Sequence, residues 1–454
     1  MCGLAGVFDL SGAARPVDAP ILKRMTQALA HRGPDDETYF TAPGVGFGHR
    51  RLAIIDIAGG AQPFKTASSN GVLAFNGEIY NYRSLADDLR ARGVHLRTRS
   101  DTETLAEGLD RDGADYVRGL RGMFAFAFWN AERRELTLGR DRLGEKPLYY
   151  AVTDDNWLVL ASEIGAIAAS GLVDLSLDPH AVYDYLHLGY APDPKSIYKD
   201  ICKLPPGTVL TAAMGGGIGF DRYWRPTLKT SFAGSIDDAG DALAALVDDA
   251  VKLQMISDAP VGAFLSGGLD SATIVAAMSD RATRVKTCTI GFNDDAFDES
   301  PFAAQVADLF DTDHTAERID LGVADLIDPV ARAFGEPFAD SSALPTYRVC
   351  ALARQRVTVA LSGDGGDELF AGYRRYPFFV KEESVRRTMP LAVRRATFGA
   401  AGALYPKLDW APRPLRLKTT LQSLGDNAAN AYLRAICMSL PDRVNRMISC
   451  DFKR

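Results

Sequence analysis

A cysteine stands at position 2 of this 454-residue chain, directly behind the initiator methionine. If Met1 is removed, which a small second residue permits, Cys2 carries both a thiol and a free α-amine. An α-amine titrates near neutrality, at about 7.7–8.0, so it can take the proton of its own side chain. The chemistry on offer is nucleophilic attack by sulfur. Four polar clusters interrupt the apolar runs that follow: HRGPDDE (31–37), GHRRLAIID (48–56), FNGEIYN (75–81) and RSDTE (99–103). Each alone has a plain structural reading, and Asn-Gly is the usual mark of a two-residue hairpin. Together with Cys2 they supply what hydrolysis of a side-chain amide requires. The Asn76 amide and the Gly77 N–H can stabilise an oxyanion. Arg51 offers a forked cation for a carboxylate, and Asp101 or Glu78 offers a carboxylate for an ammonium.

A second cluster lies far along the chain. SGGLDS (266–271) follows the apolar run AFL and precedes an apolar helical segment. Gly267 and Gly268 let backbone N–H groups approach a phosphate, and the helix N-terminus adds the positive end of a dipole. Ser266 and Ser271 can hold pyrophosphate, and Asp270 can hold Mg²⁺. No lysine follows in the GxxxxGK[ST] manner, which argues against chemistry at a γ-phosphate.

The elements that must position these groups differ between the two halves. Up to about residue 165 short β-branched and aromatic runs alternate with Gly, Asn, Asp and Pro; examples are VLAFNGEIYN (72–81), GMFAFAFWN (122–130) and WLVLASE (157–163). Helical patterns lie between them at 82–92 and 102–109, so sheets covered by helices are expected. Residues 190–236 are richer in Pro and Gly and read as a connection with a β-ribbon. From about 237 strands alternate with helices, which predicts a parallel sheet with sites at the strand carboxyl ends.

Length predicts two or three domains. Composition is that of a soluble globular protein, with 47% hydrophobic and 24% charged residues. A net charge of −7 gives no electrostatic case for nucleic acid or a membrane surface. No apolar run approaches a membrane span, so no membrane insertion is expected. The remaining cysteines, Cys202, Cys288, Cys350, Cys437 and Cys450, form no CxxC pair, so neither a disulfide frame nor a zinc site is indicated, and a cytoplasmic location fits.

The order Cys2, HRGPD, RLAIID, FNGEIYN, SDTE resembles the class II, N-terminal-nucleophile (Ntn) glutamine amidotransferase domain. The resemblance implies Cys2 as nucleophile, Asn76 and Gly77 as oxyanion hole, and Arg51, Glu78 and Asp101 as glutamine-binding residues, with Arg32 and Gly33 shaping the pocket wall. SGGLDS resembles the PP-loop of ATP pyrophosphatases. TIGF (289–292) and SGDGGDELFAGY (362–373) resemble the synthetase domain of the asparagine synthetase family. That resemblance places Phe264 and Ile290 at the adenine end, Ser362 and Gly363 on the nucleotide, and Asp367 with Asp270 at Mg²⁺–pyrophosphate. Asp364 falls where many members carry a glutamate important for the adenylation step.

The implied fold is α/β in two domains. An N-terminal αββα sandwich spans 2–215, a linker 216–236, and a doubly wound parallel sheet of the PP-loop type 237–454. The implied activity is glutamine-dependent asparagine synthesis with ATP and Mg²⁺. Ammonia would pass from Cys2 to an adenylated carboxylate, by default the β-carboxylate of aspartate, and pyrophosphate would be released. Small molecules are the implied partners, and the family's frequent dimers leave a homodimer open. A related amidotransferase acting on another carboxylate, such as one of the exosortase-associated branch of surface-polysaccharide metabolism, is the alternative; a glutaminase-only chain is a third. Phosphoribosyl-pyrophosphate and sugar-phosphate amidotransferases share the first half, but SGGLDS argues against both. The family's late Lys–Val-Asp-Arg and Glu-Val-Arg-x-Pro-Phe-Leu-Asp stretches are not found here, so the second half is expected to be incomplete at its C-terminus.

Overall fold

Side chains alternating with a period of two build the first layers. The computed structural model describes the chain except for residues 229–231, 296–297, 320–323, 409, 413–414 and 449–454; Cys450 therefore lies outside the described residues. Twelve strands come first: β1 (Gly3–Asp9), β2 (Asp36–Ala42), β3 (Val45–Arg51), β4 (Phe64–Lys65), β5 (Gly71–Ile79), β6 (Gly122–Asn130), β7 (Glu135–Arg140), β8 (Tyr149–Val152), β9 (Trp157–Ala161), β10 (Cys202–Lys203), β11 (Val209–Ala213) and β12 (Ile218–Asp221). They form two six-stranded antiparallel sheets, ordered β10-β8-β9-β1-β3-β2 and β12-β11-β7-β6-β5-β4.

In β6, Ala125, Ala127 and Trp129 join Leu4, Phe8 and Phe47 between the sheets, while Phe124, Phe126 and Phe128 face the other way. The outward phenylalanines pack on α2 (Tyr82–Ala91) and α3 (Asp101–Asp112) through Leu89, Leu105 and Leu109. On the opposite side Ala5 and Val7 of β1 pack on α1 (Ala19–Gln27) and α4 (Ile164–Ser170) through Met25, Leu29, Ile164 and Ile167. Four layers result, helix–sheet–sheet–helix, the αββα sandwich that the resemblance implied. The ribbon expected within 190–236 does not stand apart, because β10 closes the edge of the first sheet and β11–β12 that of the second.

After α5 (Pro179–Leu188) and α6 (Ile236–Gln254) come four parallel strands, β13 (Val261–Phe264), β14 (Lys286–Phe292), β15 (Asp313–Ile319) and β16 (Val359–Leu361). Ser235 starts α6 with a reciprocal capping box to Asp238. The order β15-β14-β13-β16 reverses direction at β13, so the crevice of this sheet lies beyond the carboxyl ends of β13 and β16. Apolar residues of α6, α7 (Leu269–Ser279) and α8 (Ser300–Leu309), namely Val251, Val275, Met278 and Ala303, pack with Ala263, Leu265 and Leu361. Leu352 and Ala353 of α10 (Ala343–Arg354), which follows α9 (Ala324–Phe334), cover Cys288, Phe264 and Ile290. Among the described residues no helix is long and apolar enough to cross a membrane.

The chain divides into two compact units. Met1–Ala181 and Ala191–Ser362 form the first; Val182–Tyr190 and Gly363–Arg454 form the second. Within the first unit the sandwich and the parallel sheet are joined by polar contacts. Arg121 meets Asp249 at 2.9 Å, and Lys203 meets Glu336 at 2.6 Å with both side chains largely buried. The second unit is helical from α11 (Gly366–Phe370) onward. There Arg394 donates to the carbonyls of Leu424 and Asp426, both at 2.6 Å.

Candidate functional site

Cys2 sits immediately before β1, an inner strand of the first sheet, and the HRGPD turn holds it there. Arg32 Nε donates to the Cys2 carbonyl at 2.9 Å, and Arg32 Nη1 meets Glu163 at 2.7 Å. Cys2 Sγ accepts the Leu52 N–H at 3.4 Å. Burial pushes the thiol pKa up, while the Leu52 bond and the positive chain terminus oppose the rise. The terminal amine here belongs to Met1, and desolvation lowers it to about 6, with Arg32, Lys146 and Arg354 adding to the shift.

Arg51 ends β3, and the strand stops there for a visible reason. Its guanidinium donates to the carbonyls of Ile57 at 2.7 Å and Asp56 at 2.9 Å, folding residues 52–60 into a loop. Asp56 takes a positive φ of 47°. Its carboxylate accepts the N–H groups of Gly59 at 2.8 Å and Arg99 at 2.9 Å. Its own N–H donates to Asp258 Oδ2 at 2.8 Å, a residue three positions ahead of β13. Gly33 packs against this strand so closely that a Cβ there would lie 2.3 Å from the Arg50 carbonyl carbon.

Asn76-Gly77 is not a hairpin turn. Both residues lie inside β5, opposite Ala125 and Phe124 of β6. The flanking bonds of Tyr80 to Arg121 and of Ala131 to Asn70 fix the ladder so that even-numbered residues of β5 bond to β6. Odd-numbered N–H groups therefore face the other edge, where β4 pairs only with Val72 and Leu73. Phe75 N–H donates to Gln62 Oε1 at 2.7 Å and Ile79 N–H to Asp101 Oδ2 at 3.0 Å. The Gly77 N–H lies between them with no acceptor among the described hydrogen bonds. A Cβ at Gly77 would come within 2.2 Å of the Met123 carbonyl oxygen, so only glycine fits. Both polar side-chain atoms of Asn76 are buried without a partner. His49 Nε2 lies 2.9 Å from the Phe75 carbonyl, and burial holds this ring neutral by lowering its pKa to about 4.

Glu78 follows on β5 and Asp101 opens α3 behind its Ser100 cap. Both carboxyls are pulled up, first by burial; the nearby Asp101 charge adds to the rise at Glu78, and backbone N–H bonds resist the rise at Asp101. Glu78 Oε2 has no partner. Glu78 and Arg51 both act electrostatically on Cys2, and Asp101 on Glu78, which brings the four to one region. Lys146 belongs to it as well, since its charge acts on Glu78 and on the terminal amine. No motif marked Lys146, and a lone lysine in GEKP reads as a surface charge. Gln62 was equally unmarked; its role is a hydrogen bond across the fold, which local spacing does not announce.

At the crevice of the parallel sheet, Gly268 starts α7 and supplies no side-chain cap, and its own N–H donates to Ser266 Oγ at 3.4 Å. Gly267 has a φ of 77°, and a Cβ there would strike Phe302 at 2.6 Å and the Ala303 nitrogen at 2.7 Å. Ser266 and Ser271 face one another, hydroxyl to hydroxyl, at 3.0 Å. An uncapped helix start, a glycine cradle and two hydroxyls suit a phosphate group. Phe264 and Ile290 pack side by side under α10. Ser362 leaves β16, the neighbour of β13. Gly363, Asp364 and Asp367 belong to the second unit, where a Cβ on Gly372 would lie 1.9 Å from Asp367 Oδ1. Among the described residues no three His, Cys, Asp or Glu side chains cluster as metal ligands. Carboxylates as few as two suit Mg²⁺, which takes its remaining ligands from phosphate and water.

The comparisons with known proteins follow this division. Residues 1–224 match the family model described as glutamine amidotransferase domain, and residues 242–452 that described as asparagine synthase. An amidotransferase domain followed by a synthase domain is thus the class of the chain. Asparagine synthetase [glutamine-hydrolyzing] 1 of Bacillus subtilis is 36% identical over 83% of this chain and 59% of its own length. A Methanocaldococcus jannaschii relative named among the asparagine synthetases [glutamine-hydrolyzing] is 36% identical over 82% of this chain and 76% of its own. Amidase chry2 of Gibberella zeae is 27% identical over 90% of this chain and 66% of its own. The chain belongs to the asparagine synthetase (glutamine-hydrolysing) family. It spans 59% of the length of the Bacillus relative.

Proposed function

We propose that this chain is the glutaminase and nucleotide-binding portion of a glutamine-dependent asparagine synthetase. The supporting observation is on β5: both polar atoms of the buried Asn76 side chain lack a partner, beside the Gly77 N–H, which the register turns away from β6. Buried polar groups are rarely left unmade without a use. Once Met1 is excised, the Cys2 thiol proton moves to the α-amine of Cys2 and sulfur attacks the amide carbon of glutamine. The Asn76 amide and Gly77 N–H receive the oxyanion. The C–N bond breaks as the proton returns to the departing ammonia, and water then frees glutamate from sulfur. Arg51 is assigned to the α-carboxylate of glutamine, and Asp101 with Glu78 to its ammonium.

At the parallel sheet, ATP would bind with its phosphates on Ser266, Gly267, Gly268 and Ser271 and its adenine near Phe264 and Ile290. Ser362 and Gly363 complete the nucleotide contacts in this reading, and Mg²⁺ is assigned to Asp270 and Asp367. The carboxylate of aspartate is adenylated with release of pyrophosphate, and ammonia then displaces AMP to give asparagine; Asp364 is assigned to that step. The parse into 2–215, 216–236 and 237–454, a cytoplasmic location and a homodimer belong to the same proposal. Asp364, a shorter carboxylate where many members carry glutamate, supports a second reading, in which the acceptor is a different carboxylate. Pyrophosphate release from ATP and glutamine, measured with and without aspartate, tests the first reading. Release that ignores aspartate but responds to another carboxylate would select the second.

Two substitutions test the glutamine pocket. Asn76→Ala is expected to lower kcat for glutamate release by about 10²–10³-fold with KM little changed, the signature of a lost oxyanion donor; a change in KM alone would remove Asn76 from that role. Asp101→Asn is expected to raise the glutamine KM about tenfold or more and also to stabilise the fold at pH 7.5. Ionising this buried carboxyl costs more in the folded chain than in the unfolded one, because its folded pKa is raised. The stabilisation should therefore fade as pH falls through the raised pKa and vanish below about pH 4, where both states bind the proton. Thermal unfolding across pH reads it directly.

A further inference from the structure

The turn 141–146 is among the most tightly held loops in the first unit. Asp141 Oδ1 accepts the N–H groups of Leu143, Gly144 and Glu145 at 3.1, 2.7 and 3.0 Å, and Oδ2 those of Lys146 and Phe124 at 3.0 and 3.1 Å. Arg140 Nε donates to the Lys146 carbonyl at 3.0 Å. Both backbone polar groups of Lys146 are thus committed, and the residue is buried, at 6% exposed. Its Nζ lies 2.9 Å from Met1 Sδ.

A thioether is a weak acceptor, and a buried ammonium is costly without a strong partner. Lys146 is therefore placed at a cost that its local packing does not explain. What it faces is the chain start. The charged groups acting on the terminal amine are Cys2, Arg32, Lys146, Arg354 and, favouring its protonated form, Glu78; those acting on Lys146 are Glu145, Arg32, Asp141 and Glu78. Two amines in one dry pocket do not both keep their protons, because each cation disfavours the other. An α-amine ordinarily titrates near 7.7–8.0 and a lysine near 10.4, so the α-amine gives way first.

We propose that Lys146 is a positioning residue of the glutaminase site: freed from Met1 when that residue is excised, its ammonium stands beside the α-amine of Cys2 and keeps it as the free base that accepts the thiol proton. This rests on the proposed glutaminase reaction. Lys146 touches neither glutamine nor the reacting bond; it acts through the amine.

The test is the pH profile of kcat/KM for glutamate release by the full chain, for wild type, Lys146→Met and Lys146→Arg, with Met1 removal checked by intact mass. The acid limb of the Lys146→Met profile should move up by about one pH unit, which is about a threefold loss at pH 6.5, approaching tenfold below pH 5 and closing by pH 9. Lys146→Arg should keep the wild-type limb. An unmoved limb, or an equal loss at every pH, overturns the proposal and leaves Lys146 as packing alone. If the methionine variant does not fold, Lys146→Gln carries the same comparison. A wild-type chain that has lost Met1 yet releases no glutamate from glutamine overturns the glutaminase reading itself, and this inference with it. An active wild type with an unmoved variant limb overturns only the inference.

Discussion

Cys2→Ala is expected to lower glutamate release from glutamine by at least about 10³-fold, the scale on which loss of a covalent nucleophile acts. Leu52 N–H supports the sulfur, Arg32 fixes the Cys2 carbonyl, and Glu78 and Asp101 sit close enough to raise each other's cost of ionisation. None of these groups can attack an amide in place of sulfur. Alanine at position 2 still permits excision of Met1, so the variant keeps its terminal amine and loses only the thiol. Ammonia supplied directly should bypass the loss, and pyrophosphate release with ammonia in place of glutamine should stay near the wild-type rate. Simultaneous loss of both activities would contradict a two-site arrangement.

Asp270→Asn is expected to act in the opposite sense. Pyrophosphate release should fall by at least about 10²-fold, because an amide is a far poorer ligand for a hard dication than a carboxylate, while glutamate release without ATP stays unchanged. Asp270 lies in the first turn of α7, behind the uncapped helix start at Gly268 and the paired hydroxyls of Ser266 and Ser271. The substitution preserves size and leaves the Gly267 turn untouched, so the loss would report chemistry and not folding. Unaltered pyrophosphate release would mean that SGGLDS serves only to join β13 to α7.

Much of this was legible in the residues. The alternation in GMFAFAFWN reports a strand buried on both faces, and the structure splits it into alanines and Trp129 between the sheets and phenylalanines beneath the helices. Ser100 and Asp101 announce a helix start, and α3 begins at Asp101. Other features depended on distant contacts. The Asn-Gly pair carries a hairpin signal that the nine-residue pairing with β6 overrides. The run through RLAIID looks like continuing strand, yet the Arg51 side chain curls it into a loop by capturing two carbonyls downstream. Lys146 was invisible because its importance comes from the 145 residues that separate it from Met1 in sequence and the 2.9 Å that separate them in space.

The free edge of β5 has a consequence for how this fold can change. Sheets gain stability by completing their pairing, and an exposed row of N–H groups invites another chain to add itself. Here the edge is interrupted after Leu73, and two side chains, Gln62 and Asp101, plug the neighbouring donors, leaving a gap one residue wide. Lengthening β4 by a few residues would make a more regular and more stable sheet and would occupy the Gly77 N–H. Selection for stability and selection for turnover therefore pull in opposite directions at this one strand. Engineered or consensus variants of β4 should trade thermal resistance against glutamine hydrolysis, while the same exercise on β7 or β9 should not.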